Sequence, residues 1–198
     1  MRARLALAVS GQTCELREVV LRDKPQALQT ASAKATVPVL IDGSRVFEES
    51  LDIMLWALRR NDPGRWLSPE RGDKQQMLVL IQRCDMEFKP HLDRYKYPDR
   101  YQADREAHRA AGAAFLQELD GQLGQGEWLF GARCALADMA IAPFVRQFAG
   151  TDETWFAGQP WPVLRCWLQR FTEAELFERV MQKYAPWQPG TVGVMFPE

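Results

Sequence analysis

Short stretches of helix-forming and β-branched residues follow one another over the first third of the chain. Helix formers occupy Met1–Val9 and Gly11 follows as a candidate C-terminal cap, so the chain is predicted to begin in a helix. Cys14–Leu21 ends in a β-branched cluster that predicts a buried strand. Lys24-Pro25 then opens a short helix that reaches Thr30, because proline is tolerated at a first helical position.

Two short apolar runs and a helix follow. The runs 39–41 and 45–47 flank Asp42-Gly43, a pair typical of a tight hairpin turn. After Glu49-Ser50, apolar residues recur at the spacing of one helix face, at Leu51, Met54, Leu55 and Leu58. The pattern predicts helix, strand, helix, hairpin, helix.

The rest of the chain is predicted to be helical. Turn-forming residues in 61–68 predict a linker. Beyond it, apolar residues mark one long helix (Leu78, Ile81, Phe88, Leu92) and a second (Ala107, Ala111, Phe115, Leu119, Leu123). A strongly apolar helix begins at Leu136, and the tail from Pro186 is predicted to be extended. The expected organisation is an α/β domain over 1–60, the linker, and an all-helical domain over 69–198.

Charge and composition narrow the classes of function. The 198 residues carry 25 Lys and Arg against 26 Asp and Glu, so no basic surplus favours a nucleic-acid partner. No apolar stretch approaches the roughly 20 residues that span a bilayer, and we expect a cytoplasmic protein with no membrane partner. Four separated cysteines and two histidines suggest no metal site.

Val37-Pro38, the hairpin and Glu49-Ser50 together resemble the glutathione transferase superfamily, in its omega-like bacterial branch. The resemblance covers nearly the whole chain. It implies a thioredoxin-like domain with a mixed sheet, followed by a helical domain. It also implies glutathione as substrate, a small electrophile or disulfide as its acceptor, and a homodimer.

The resemblance assigns the glutathione-binding residues. A cis bond between Val37 and Pro38 would leave the Val37 backbone free to pair with the cysteinyl backbone of glutathione. Glu49 and Ser50, at a helix start, would receive the γ-glutamyl end. These two side chains could equally cap the helix. Lys24 would bind the glycine carboxylate, or be a solvated surface lysine.

The electrophile pocket is expected near the end of the first long helix, with Tyr95, Tyr97 and Tyr101 as candidates. Packing between helices is the alternative for these rings. Asp138 matches the acidic end of an N-terminal capping box, but the hydroxyl residue expected three positions earlier is Ala135.

The chain departs from the family at its front. The family's first strand and the loop that carries its catalytic residue are missing before the first helix, so no catalytic residue is assigned. Cys14 is expected to be a buried thiol. The place of the first strand would be filled by upstream residues, by the tail or by a partner's strand. Two functions stay open: a glutathione-dependent transferase, and a non-catalytic protein of the same fold that binds glutathione.

Overall fold

The computed structural model describes residues 1–197, which form two compact units. The first combines Met1–Gly64 with residues 175–197, and the second is Arg65–Ala174. The boundary falls inside the predicted linker 61–68. Residues 175–197, assigned from sequence to the helical domain, thus pack with the α/β unit.

The first unit contains short helices and strands. Its elements in chain order are α1 (Arg2–Ser10), β1 (Cys14–Leu16), α2 (Gln26–Ala31), β2 (Leu40–Asp42), β3 (Arg45–Phe47), α3 (Ser50–Arg60), α11 (Glu175–Met181) and β4 (Val194–Phe196). The helix α1 packs against α3 and α11, and it ends at Gly11, whose φ of 66° is left-handed.

The second unit is helical. Its elements are α4 (Lys74–Arg83), a π-helical turn (Cys84–Phe88), α5 (Lys89–Lys96), α6 (Pro98–Tyr101), α7 (Arg105–Leu123), α8 (Leu136–Ala149), α9 (Glu153–Ala157) and α10 (Pro162–Thr172). The predicted α/β unit followed by a helical unit is therefore confirmed. Among the described residues, no helix is both long and apolar enough to cross a membrane.

The tail of the chain supplies a strand to the first unit. Strand β4 pairs antiparallel with β1, and Phe196 lies opposite Cys14 in this pair. Phe196 is buried, with 3% of its surface exposed. Of the three segments that could fill the place beside β1, the tail is the one that pairs with it here, so the tail is not merely an extended surface segment.

Side chains and backbone groups before β4 attach the tail to the same unit. The backbone amide of Trp187 donates to the Glu18 carbonyl at 2.8 Å, and the amide of Gly193 donates to Glu15 Oε1 at 2.8 Å. The Arg4 guanidinium donates to Glu18 and lies 5.3 Å from the centre of the Tyr184 ring. The tail is thereby held at Trp187 and Gly193 as well as at β4.

The strand predicted over Cys14–Leu21 is shorter than expected. It stops at Leu16, where the pairing with β4 ends. Val20 forms only an isolated bridge with Asp23 and Leu21 is 62% exposed. The β-branched cluster favours extended backbone, but a strand also needs a partner for its amides and carbonyls. Here β4 offers a partner to residues 14–16 only.

The predicted hairpin is confirmed and is held against α3. Asp42 pairs with Arg45, so the two-residue loop is Gly43-Ser44, one position later than the sequence indicated. Asp42 Oδ2 accepts from Trp56 Nε1 at 3.0 Å and from the Arg60 guanidinium at 2.7 Å. Both bonds lower the pKa of Asp42, and the bond from Trp56 has the larger effect. They also fix the hairpin relative to α3. The described strands form two antiparallel pairs.

Aromatic rings and one close backbone approach build the core of the helical unit. Phe88 lies 5.1 Å from Phe115 and 5.5 Å from Phe148 between ring centres. Gly112 of α7 makes room for the Phe148 ring, since a Cβ there would lie 2.6 Å from Phe148 Cε2. The long helix predicted through Leu78 and Leu92 runs through α4, the π turn and α5 without a break.

Asp138 is the buried polar centre of the helical unit. Its Oδ1 accepts from the Leu129 amide at 2.9 Å and from Trp167 Nε1 at 2.8 Å. Its Oδ2 accepts from the Ala135 amide at 2.9 Å, which is half of a capping box because Ala135 has no side-chain acceptor. Burial raises the pKa of Asp138 to about 6. The three donors favour the charged form and oppose this rise, but the effect of burial is larger.

We expect Asp138→Asn to lower the free energy of unfolding by about 2 to 3 kcal/mol at pH 7, because the new amide would point a donor at the Ala135 amide. Burial holds the folded pKa above the unfolded value, so the contribution of Asp138 is greatest at low pH and falls as pH rises through about 6. The loss of unfolding free energy in the variant, relative to wild type, should therefore be larger at pH 5 than at pH 7. Urea denaturation at both pH values measures it, with the exposed Asp99→Asn as control. An equal loss of unfolding free energy at both pH values would contradict a raised pKa of Asp138 in the folded protein.

We expect Phe196→Ala to lower the free energy of unfolding by about 3 kcal/mol, because it removes a buried ring from the β4 strand. Val192→Ala, at a position 86% exposed in the same tail, should change it by less than about 0.5 kcal/mol. Denaturant titration with a fluorescence readout compares the two. Equal effects would mean that β4 does not stabilise the first unit.

Candidate functional site

Val37 presents free backbone groups at the surface of the first unit. Val37 is 44% exposed, and its peptide bond to Pro38 is cis. Among residues 1–197, no hydrogen bond uses the amide or the carbonyl of Val37. Because backbone polar groups are rarely left unpaired away from water, this pair is available to solvent or to an extended ligand.

The N-terminus of α3 carries no side-chain cap. Glu49 occupies the N-cap position with extended backbone, but its side chain accepts none of the amides of the first turn. The Ser50 hydroxyl likewise has no hydrogen-bond partner within the described chain. The amides of the first turn have no intrahelical partner and carry the positive partial charge of the helix N-terminus. The sequence left two roles open for Glu49 and Ser50, ligand binding and helix capping. The structure shows no capping by either side chain.

A lysine that the sequence reasoning did not single out joins the two parts of this site. Lys34 Nζ lies 2.7 Å from Glu49 Oε1, with 56% and 64% of the two side chains exposed. The neighbouring Glu48 accepts instead from the Ser32 hydroxyl. The Lys34–Glu49 pair places the loop before Val37 beside the start of α3. A basic residue three positions before Val37 was the only sequence signal for it.

The loop before Pro38 also contains a left-handed alanine. Ala35 has φ of 45°, a conformation that costs a residue with a Cβ about 1 to 2 kcal/mol. Glycine would adopt this backbone without that penalty, because it has no Cβ. Ala35 therefore places a strained turn just before Val37 and Pro38.

Lys24 lies apart from these contacts. It is half-buried just before α2, and its carbonyl accepts from Gln29 Nε2 at 3.2 Å. In the part of the chain that the structure describes, its ammonium makes no ion pair and no hydrogen bond joins it to Val37, Glu49 or Ser50. Its charge is thus free for a ligand or for solvent.

The three tyrosines do not share one environment. Tyr95 is fully buried and packs on Phe148 with ring centres 4.8 Å apart, which is the packing role considered as the alternative. Tyr97 and Tyr101 are 46% and 40% exposed. Lys96 Nζ lies 5.1 Å from the Tyr97 ring centre.

Burial disfavours the thiolate form of two of the four cysteines. Cys14 packs against the cluster of Ala3, Leu40 and Ile53, and burial raises the pKa of its thiol. Burial raises the pKa of Cys134 to about 11. Both thiols are therefore protonated at neutral pH, which makes them poor nucleophiles. Among the described residues there is no group of three or more side chains that could hold a metal ion.

Comparison with known proteins identifies the family of both parts of the chain. The family model for the N-terminal domain of glutathione S-transferases matches residues 1–66, and the model for the C-terminal domain matches residues 102–170. A curated relative, the probable glutathione S-transferase parA of Nicotiana tabacum, is 27% identical over 158 residues, which are 75% of this chain and 67% of that protein.

Solved structures show the same fold. A glutathione transferase family member from Pseudomonas fluorescens, with two glutathione bound, has a TM-score of 0.78 at 19% identity, over 90% of this chain and 86% of that one. Poplar glutathione transferase F1 has a TM-score of 0.76 at 15% identity, over 90% and 89%. A glutathione transferase from Phanerochaete chrysosporium in complex with oxidized glutathione has a TM-score of 0.77 at 18% identity, over 90% and 88%.

The first unit thus corresponds to a thioredoxin-like domain and the second to the helical domain that follows it. With both domain models matching and together covering more than half of its residues, the chain belongs to the glutathione S-transferase superfamily.

Proposed function

We propose that this protein binds glutathione and transfers its thiol to an electrophile or a disulfide. The observation that carries the proposal is the uncapped start of α3, with Glu49 and Ser50, beside the unpaired backbone of Val37. These groups match the charges and hydrogen-bonding groups along a γ-glutamyl tripeptide, and the superfamily membership supports the same ligand.

Each end of glutathione has a chemically suitable partner. The unpaired first-turn amides of α3 and the Ser50 hydroxyl would bind the α-carboxylate of the γ-glutamyl residue, as helix N-termini bind anions. The Glu49 carboxylate would attract the ammonium of the same residue. The Val37 amide and carbonyl would pair with the cysteinyl backbone next to Pro38, and the free ammonium of Lys24 would bind the glycine carboxylate.

The chemistry belongs to the thiol of the ligand. Once ionised, the sulfur bonds to an electrophilic carbon while a leaving group departs with its electron pair or a double bond takes up the pair. With a disulfide, the sulfur bonds to one sulfur atom and releases the other as thiolate. Tyr97 and Tyr101, both exposed residues, are the candidates for contact with the acceptor. We also propose a cytoplasmic homodimer of the omega-like branch.

A second candidate is a glutathione-binding protein without catalysis. The residues assigned above hold the two ends and the backbone of the tripeptide, and none is assigned to its thiol. Burial raises the pKa of Cys14, which disfavours this cysteine as a replacement nucleophile. Binding is common to both candidates, so the two differ only in turnover.

We expect Ser50→Ala to raise the Kd for glutathione about tenfold or more, because a hydrogen bond to a charged carboxylate contributes about 1.5 to 3 kcal/mol. Isothermal titration calorimetry measures the change. Ser44→Ala, in the exposed hairpin loop of the same unit, is the matched control and should leave the Kd unchanged. If the Kd of the Ser50 variant equals that of wild type, Ser50 is not in the site.

For wild type we expect conjugation of glutathione to an aryl halide, or its exchange with a small disulfide, to run faster than the uncatalysed reaction. The rise in rate should be reduced in the Ser50→Ala variant at glutathione concentrations below Kd. Calorimetric binding of glutathione with neither activity would reject the transferase and favour the binding protein.

A further inference from the structure

Lys34 is the cation nearest to the carboxylate that the proposed site offers to the ligand's ammonium. Its Nζ lies 2.7 Å from Glu49 Oε1. Glu49 is the strongest influence on the pKa of Lys34, which is raised, and Glu48 and Asp52 add to the effect. Lys34 thus places a positive charge near three carboxylates at the start of α3.

Of these three carboxylates, Glu49 is the one that the proposed site assigns to the ligand's ammonium. Glu48 is held by the Ser32 hydroxyl, and Asp52 lies within the first turn of α3. A ligand ammonium would therefore approach Glu49, where an ammonium of the protein already sits. Two cations on one carboxylate repel each other, while the Lys34 charge attracts the ligand's α-carboxylate.

We propose that Lys34 sets the specificity of the site at the γ-glutamyl end. By pairing with Glu49 it substitutes for the ammonium of the ligand, so that the protein accepts γ-acyl cysteinylglycine peptides that keep the α-carboxylate but lack the amine. This inference rests on the proposed glutathione site and goes beyond it by naming a class of ligand, the desamino analogues, and the residue that admits them.

The size of the effect follows from exposure. Both side chains are more than half exposed, and exposed ion pairs are weak and screened by salt. The discrimination between an amine-bearing ligand and its desamino analogue is therefore expected to change about twofold to fivefold when Lys34 loses its charge. The change should shrink as ionic strength rises.

The test compares glutathione with glutaryl-cysteinylglycine, which differs from it only in lacking the α-amino group. Calorimetry gives the Kd of each for wild type, Lys34→Met and Lys183→Met, the last being a charge-matched control on an exposed lysine of the same unit. Methionine keeps the length of the side chain and removes its charge. We expect the ratio of the desamino Kd to the glutathione Kd to rise about twofold to fivefold in Lys34→Met and to stay at the wild-type value in Lys183→Met.

A second pair of variants tests whether Lys34 acts through the Glu49 carboxylate. In a Glu49→Gln background, Lys34→Met should leave the ratio unchanged, because the carboxylate through which Lys34 acts is gone. An unchanged or lowered ratio in the single Lys34→Met variant would overturn the inference while leaving glutathione binding intact. Failure of wild type to bind either peptide would instead overturn the proposed glutathione site itself.

Discussion

The pairing of β1 with β4 is the interaction on which the first unit depends. A strand without a neighbour leaves its amides and carbonyls unpaired, and β1 finds that neighbour in the tail of the same chain. The pairing buries Phe196 opposite Cys14, whose side chain packs on the core formed with Leu40 and Ile53. The end of the chain thereby becomes part of the unit that carries the candidate site.

The candidate site consists of backbone groups that have no hydrogen-bond partner within residues 1–197. Secondary structure normally pairs almost every buried amide and carbonyl, but the Val37 backbone and the first turn of α3 are both open. The Asp42 contacts to Trp56 and Arg60 fix the hairpin against α3. Rigid elements therefore hold these open groups in place, which is what a small polar ligand needs for recognition.

Charge then decides which ligand suits those groups. The helix start favours an anion, whereas the acidic side chains around it favour a cation. Lys34 reduces the second preference because it already pairs with Glu49. In the helical unit, by contrast, Asp138 is fully enclosed and its three donors serve only structure. The exposed carboxylate of Glu49 can thus exchange its partner for a ligand, whereas the enclosed carboxylate of Asp138 cannot.

The sequence by itself determined the α/β unit followed by helices, the hairpin, and the motif of Val37-Pro38 with Glu49-Ser50, because periodicity, turn residues and proline act locally. Tertiary structure alone decided that the tail pairs with β1, that Tyr95 is buried while Tyr97 is exposed, and that Lys34 meets Glu49. Each of these depends on residues distant in sequence meeting in space. Propensity describes a residue and its near neighbours, and it carries no information about such distant partners.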